Sequence, residues 1–167
     1  MRFILAAGLA LLFSLGALAQ TVEVRFSETF QEDLDTLYGE REGDYLAREI
    51  AQDIQRSLKR GSLKVHKVNV TIERAVPNRP TMKQLERNPN LSLVQSFGVG
   101  GMELTAQAYD KSDAPIGEAM TYSWFERDIR NVVGFATWTD AHRASNRFSR
   151  RFSKSIRTEL MRQQETR

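Results

Sequence analysis

Apolar and polar residues follow patterns that divide the chain into strands and helices. Residues 22–26 alternate apolar and charged side chains, which predicts a strand with one buried face. Between residues 46 and 58 an apolar side chain recurs at every fourth position, which predicts an amphipathic helix. We expect Asp44 to cap the N-terminus of this helix and Gly61 to end it.

Three further strands are predicted after this helix. The segment 63–76 alternates in two opposite phases, so we expect a strand with a bulge or bend near Lys67. Residues 102–108 and 116–125 alternate again, and the polar stretch 110–115 between them predicts a turn. The last two strands are therefore expected to form a hairpin.

The remaining segments are a loop and a final helix. Residues 77–90 are rich in proline and asparagine, which predicts an irregular connection with one short turn at 82–87. An apolar stripe from 144 to 160 predicts a helix opened by Thr139 or Asp140. The order β-α-β-β-β-α predicts an α+β fold, with a mainly antiparallel sheet of about four strands and two amphipathic helices on one face.

The N-terminal segment has the features of a secretory signal peptide. Arg2 precedes an apolar run over 3–18, and the chain then reads Ala17-Leu18-Ala19. We therefore expect cleavage after Ala19 and a periplasmic location. The predicted organisation is a signal peptide at 1–19, a single domain at 20–163 and a polar tail at 164–167.

Composition narrows the expected chemistry. The chain has 24 basic and 21 acidic residues, and loss of Arg2 would leave 23 basic ones, so net charge alone predicts no polyanion partner. With no cysteine and only His66 and His142 as histidines, a disulfide framework or a zinc site is not expected. We predict no cofactor, no nucleic-acid partner and no transmembrane anchor, since no later segment has the roughly 20 apolar residues of a membrane span.

The final helix carries a local excess of positive charge on an otherwise nearly neutral chain. Its basic residues are Arg143, Arg147, Arg150, Arg151, Lys154, Arg157 and Arg162. Such a helix can contact an anionic membrane surface or an acidic partner, because arginine offers forked contacts to phosphate and carboxylate groups. The alternative is a packing helix whose phenylalanines enter the core while the arginines are solvated.

Three other features have competing interpretations. Glu126 and Asp128 lie beside aromatic residues, which would suit a glycan-processing hydrolase, although carboxylates paired with arginine are commoner at such positions. The glycine-rich run 98–101 leads into a strand, so it favours close backbone approach over a phosphate-binding loop. A homodimer that buries the edge of the hairpin is a structural alternative.

Several short runs carry a resemblance to a known group of proteins. They are Asn-Arg-Pro-Thr at 78–81, Gln-Leu at 84–85, Ser-Phe-Gly-Val-Gly-Gly at 96–101, Tyr-Ser-Trp-Phe-Glu at 122–126, Asp-Ile-Arg at 128–130 and Thr-Trp-Thr-Asp-Ala at 137–141. Through them most of the chain after residue 19 resembles small uncharacterised exported proteins of proteobacteria. The resemblance implies a periplasmic location and no particular activity.

These observations favour a non-enzymatic binding or accessory protein of the cell envelope. Its partner would be an envelope protein or an anionic lipid or glycan surface. The expected contact residues are Arg79 and Gln84 on the loop, Trp124 on the fourth strand, and Arg143, Arg147, Arg150 and Arg151 on the last helix.

Overall fold

The computed structural model describes residues 21–132, 134 and 136–165. The predicted signal peptide at 1–19 lies outside these residues. In chain order the described part contains β1 (Thr21–Phe26), α1 (Glu28–Asp33), a π-helical turn (Leu34–Tyr38), α2 (Glu40–Arg60), β2 (Lys67–Val76), α3 (Met82–Arg87), β3 (Gly101–Tyr109), β4 (Pro115–Phe125), a 3-10 turn (Ile129–Asn131) and α4 (Thr139–Glu165). None of the described helices is both long enough and apolar enough to cross a bilayer.

The α+β class predicted from the sequence is confirmed. The strands form one sheet in the order β1-β2-β3-β4. Strands β2, β3 and β4 pair antiparallel, and the short connection 110–114 joins β3 to β4 as the predicted hairpin, whereas β1 pairs parallel with β2. The sheet is therefore mixed rather than purely antiparallel. The reason is that α2 carries the chain across the sheet between β1 and β2, so β2 re-enters in the direction of β1.

A single hydrophobic core fills the space between the sheet and the helices. Every second residue of β2 faces this core, and so do the apolar stripes of α2 and α4. Its largest fully buried members include Trp138, Phe30, Phe148, Phe152, Leu46, Ile50, Ile54 and Leu104. On α4 the rings of Phe148 and Phe152 stack with their centroids 5.5 Å apart, and Phe148 lies 6.2 Å from the ring of Tyr122 on β4, so α4 packs against the sheet.

Three features differ from their sequence predictions. Helix α2 begins at Glu40, so Asp44 lies inside the helix rather than at its cap, because Gly39 with φ of 100° turns the chain directly into the helix. The irregularity in β2 falls between Ile72 and Arg74 rather than near Lys67. Helix α4 continues to Glu165, two residues into the predicted polar tail.

A seam of hydroxyl groups joins α2 to α4. Ser145 donates a hydrogen bond to the buried Asp53 carboxylate at 2.7 Å, and Ser153 donates to Ser57 at 2.8 Å. Ser57 in turn donates to the backbone carbonyl of Ser149 at 3.0 Å. Residue numbers increase together along both helices, so the two helices run parallel. We call these contacts the serine seam.

One end of the sheet gathers the long connections. There β2 and β4 end and β3, α2 and α4 begin. The loop 77–100 and the connection after β4 both lie at this end, which we call the loop end. Loops positioned by a rigid scaffold commonly carry binding functions.

Candidate functional site

Three arginines of α4 lie over aromatic rings of β4. The guanidinium carbons of Arg147 and Arg143 are 4.3 and 5.2 Å from the ring centre of Trp124. That of Arg151 is 5.0 Å from the ring centre of Tyr122. Residues four apart share one face of a helix, while Tyr122 and Trp124 share one face of the strand, so the two rows meet. The positive charges lie over the electron-rich ring faces, which is a cation–π arrangement.

A groove of about 850 Å³ opens between β4 and the N-terminal half of α4. We call it the Trp124 groove. Its side chains include Ser123, Trp124, Glu126, Arg127, Arg130, Asn131, Arg143 and Arg147. Four arginines against one glutamate make its lining cationic. The sequence predicted Trp124, Arg143 and Arg147 as contact residues, and the structure brings these three together.

Glu126 is tied to the backbone at the rim of the groove. Its carboxylate accepts hydrogen bonds from the amides of Arg127 at 2.9 Å and Asp128 at 3.2 Å, and from Asn131 at 3.3 Å. These bonds, first that from Arg127, hold the pKa of Glu126 below its ordinary value. Arg143 lies 3.7 Å from the same carboxylate.

Asp128 is paired with its neighbour Arg130. The guanidinium of Arg130 donates to both carboxylate oxygens, the shortest contact being 2.6 Å, and this lowers the pKa of Asp128. A glycosidase that uses two carboxyl groups needs one of them protonated near neutral pH. Hydrogen bonds lower the pKa values of both Glu126 and Asp128, so neither carboxyl group has the raised pKa of a general acid, and the hydrolase hypothesis stays a prediction.

A buried polar network holds the base of the groove. Asp140, which has no exposed surface, accepts hydrogen bonds from Asn78 at 2.6 Å, from the amide of Gly100 at 3.2 Å and from Arg143 at 3.0 Å. Asn78 also accepts from the Asp140 amide at 2.8 Å and donates to the carbonyl of Gly98 at 3.1 Å. The network joins the loop 77–100 to the first turn of α4 and fixes the position of Arg143.

The two predicted loop residues are engaged within the fold. Arg79 is 8% exposed, and its guanidinium donates to the carbonyls of Leu93 and Val94 at 3.0 and 2.7 Å. Gln84 accepts from the amide of Thr81 at 3.0 Å and completes a capping box at the start of α3. Neither residue lines the Trp124 groove, and a role for them in partner contact stays a prediction.

Arg150 lies on a different face of α4 from the arginines over Trp124. It lines a second groove of about 490 Å³ between α2 and α4, together with Arg60, Lys154 and Arg157. The basic helix α4 therefore presents two separate cationic faces. The sequence separates the two faces through helical spacing: one face carries residues 143, 147 and 151, and the other carries residues 150, 154 and 157.

Sequence reasoning missed Arg127 and Asn131 as groove residues. They follow β4 directly, so their closeness to Trp124 along the chain was the available signal. In the described ranges 21–132, 134 and 136–165, no cluster of three or more histidine, aspartate or glutamate side chains could hold a metal ion.

The fold and the groove define an α+β protein with a cationic surface groove that has an aromatic wall. A comparison with protein-family models finds no match, and a comparison with curated proteins finds none either.

Proposed function

We propose that this protein is a non-enzymatic binding module of the cell envelope that holds an anionic group of its partner in the Trp124 groove. The observation that carries the proposal is the pair of guanidinium groups of Arg143 and Arg147 that lie over Trp124 at the wall of an open groove. A cation–π contact restrains the guanidinium group through the ring face and leaves its N–H groups available to a carboxylate or phosphate.

The arginines of the groove divide into two roles. Arg143 is balanced by Asp140 and Glu126, at 3.0 and 3.7 Å, so it serves mainly to shape the groove. Arg147 and Arg127 form no ion pair with any described carboxylate, and both are exposed. These two residues supply the uncompensated charge that an anionic ligand would neutralise.

The location follows from the expected signal peptide and from the resemblance to small exported proteins of proteobacteria. Export by cleavage after Ala19 would place the groove in the periplasm, where anionic lipids, glycans and protein surfaces are available partners. Both the signal peptide and the family relationship are part of the proposal.

A fluorescence titration tests the proposal. The chain has two tryptophans, so the signal of Trp124 is obtained by subtracting the response of the Trp124→Phe variant. We expect tripolyphosphate or hexaglutamate to change this signal with saturation, and the two probes distinguish a phosphate from a carboxylate ligand. Arg147→Gln should weaken binding about tenfold or more, because a hydrogen bond to a charged group contributes about 1.5–3 kcal/mol.

Arg150→Gln is the matched control, since it removes the same charge from the other face of α4. Equal weakening by Arg147→Gln and Arg150→Gln would show a diffuse charge effect and refute a site at Trp124. Absence of a saturable Trp124 signal with both probes would refute the proposed function.

The homodimer alternative stays a prediction. Strands β1 and β4 are the two outer strands of the sheet, and either could pair with a second copy. Sedimentation at increasing protein concentration tests it, since a dimer would shift the distribution and a monomer would not.

A further inference from the structure

A short turn at the loop end exposes apolar side chains to solvent. Leu93, Val94 and Phe97 are 50%, 69% and 52% exposed, and Val99 follows at 38%. We call residues 92–99 the apolar turn. Large exposed apolar side chains grouped within one short segment are typical of an interaction surface, because burying each of them against a partner lowers the free energy.

The apolar turn is held rigidly in its exposed position. The buried Arg79 donates to the carbonyls of Leu93 and Val94 from beneath. Within the turn, the amide of Ser92 donates to the Ser96 hydroxyl at 3.0 Å, and the amide of Ser96 donates to the carbonyl of Ser92 at 2.9 Å. The backbone is thus bonded inward while the apolar side chains point outward. A preorganised turn of this kind loses little conformational entropy on binding.

The surroundings of the apolar turn are free of acidic residues along the chain and adjoin arginines in space. Residues 87–102 contain no aspartate or glutamate. The carbonyl of Gly100 accepts a hydrogen bond from the amide of Glu126 at 2.9 Å, which brings the end of the turn beside Arg127. Ile129, 52% exposed, lies two residues further on. The loop end therefore exposes apolar side chains from both connections beside the exposed Arg127, while the neighbouring Glu126 is bonded to backbone amides and Asp128 to Arg130.

We propose that the loop end docks on an anionic lipid bilayer, with the apolar turn inserted in the interface and Arg127 and Arg147 contacting lipid phosphates. This inference rests on the proposed function, because it identifies the anionic group in the groove as a lipid headgroup. A soluble anion would neutralise the arginines but leave Leu93, Val94 and Phe97 in water. A bilayer surface satisfies both features at once, since its headgroups are anionic and the acyl chains begin just beneath them.

Vesicle flotation tests this proposal on the purified protein. We expect binding to vesicles made of equal parts phosphatidylcholine and phosphatidylglycerol, and little binding to vesicles of phosphatidylcholine alone. Leu93→Ser/Val94→Ser should reduce the partition coefficient about tenfold through lost apolar burial. Arg127→Gln should reduce it about fivefold, the usual contribution of one basic residue near an anionic surface.

Two control variants match these changes elsewhere on the surface. Met161→Ser removes an apolar side chain that is 56% exposed near the C-terminus of α4, and Arg60→Gln removes a cation from the second groove. Both should bind vesicles as the unchanged protein does. In a Phe97→Trp variant, the fluorescence of the introduced tryptophan should in addition be quenched by brominated acyl chains. Such quenching reports insertion rather than adsorption on the headgroups.

The outcomes separate this inference from the proposed function. Absence of binding to the anionic vesicles, or full binding by Leu93→Ser/Val94→Ser, would overturn docking on a bilayer. If tripolyphosphate or hexaglutamate still titrates Trp124 in that case, the groove binds a different anionic partner and the proposed function stands. Equal binding to neutral and anionic vesicles would overturn the role of Arg127 and Arg147.

Discussion

Asp140 is the residue whose removal should most clearly reveal how the groove is held together. Its buried carboxylate accepts hydrogen bonds from Asn78, the amide of Gly100 and Arg143. Asp140→Ala leaves the Gly100 amide and one N–H of Asn78 buried without this acceptor, at about 1–3 kcal/mol each. It also removes a negative charge from the first turn of α4, which contributes about 0.3–1 kcal/mol. Arg143 is partly exposed and turns to water at smaller cost.

The expected loss for Asp140→Ala is therefore about 3–5 kcal/mol of unfolding free energy. Asp140→Asn keeps one carbonyl oxygen, which can still accept from Asn78 and Gly100 while the amide group faces Arg143. We expect this variant to lose only about 1–2 kcal/mol, mainly the contact with Arg143. Because many domains have only about 5–15 kcal/mol of stability, the asparagine variant keeps the test informative if the alanine variant does not fold.

Urea unfolding at pH 7, followed by far-ultraviolet circular dichroism, measures both losses. A double-mutant cycle with Asn78→Ala should give a coupling of about 0.5–3 kcal/mol between residues 78 and 140. A loss below about 1 kcal/mol for Asp140→Ala, with an unchanged slope in urea, would show that this network does not anchor the loop. Equal losses for the two Asp140 variants would show that the charge, rather than the hydrogen bonds, is what matters.

Three further predictions concern other parts of the fold. Gly101→Ala should destabilise the protein by about 3 kcal/mol in urea unfolding, because its Cβ would lie 2.4 Å from the Trp124 carbonyl oxygen; an unaffected midpoint would contradict this. Glu126→Gln should lower the stability at pH 7, and the stability difference from the unchanged protein should narrow as the pH falls below 4.5, because a carboxyl group with a lowered pKa stabilises the fold only while ionised. A stability difference that is constant from pH 7 to pH 3 would count against this prediction. Ser57→Ala should cost about 1–3 kcal/mol of stability, because it leaves the Ser153 hydroxyl and the Ser149 carbonyl without their partner. Thermal unfolding would detect this loss, with Ser155→Ala, at an exposed position on α4, as the control.

The spacing of apolar residues predicted the four strands and the two long helices, because the buried face of each element must be apolar. The four-residue stripe of α2 and the alternation in β2 both face the same core, and each repeats over enough residues to be distinguished from chance. The short turn predicted at 82–87 is a six-residue helix, α3, because Thr81 and Gln84 form a capping box at its start. By contrast, alternation within a strand carries no information about direction, so the parallel pairing of β1 needed the crossover helix to be taken into account.

The candidate site could be predicted only in part. Trp124, Arg143 and Arg147 were identified as contact residues, but their meeting in one groove depends on how α4 packs against β4. Arg79 was expected to contact a partner because it is a cation on a proline-rich loop. Its burial follows from the carbonyls of Leu93 and Val94, which have no signature in the sequence.

The serine seam has a mechanical consequence for the groove. Apolar ridges allow two helices to slide past each other at modest cost, whereas hydrogen bonds between particular hydroxyl and carboxylate groups do not. A shift of α4 by one turn along α2, about 5.4 Å, would separate Ser145 from Asp53 and Ser153 from Ser57 at the same time. The serine seam thus resists displacement of α4 along the axis of α2 in either direction. A force on Arg147 along the helix axis would therefore be resisted by the hydrogen bonds to α2, and Arg143 and Arg147 would keep their positions over Trp124.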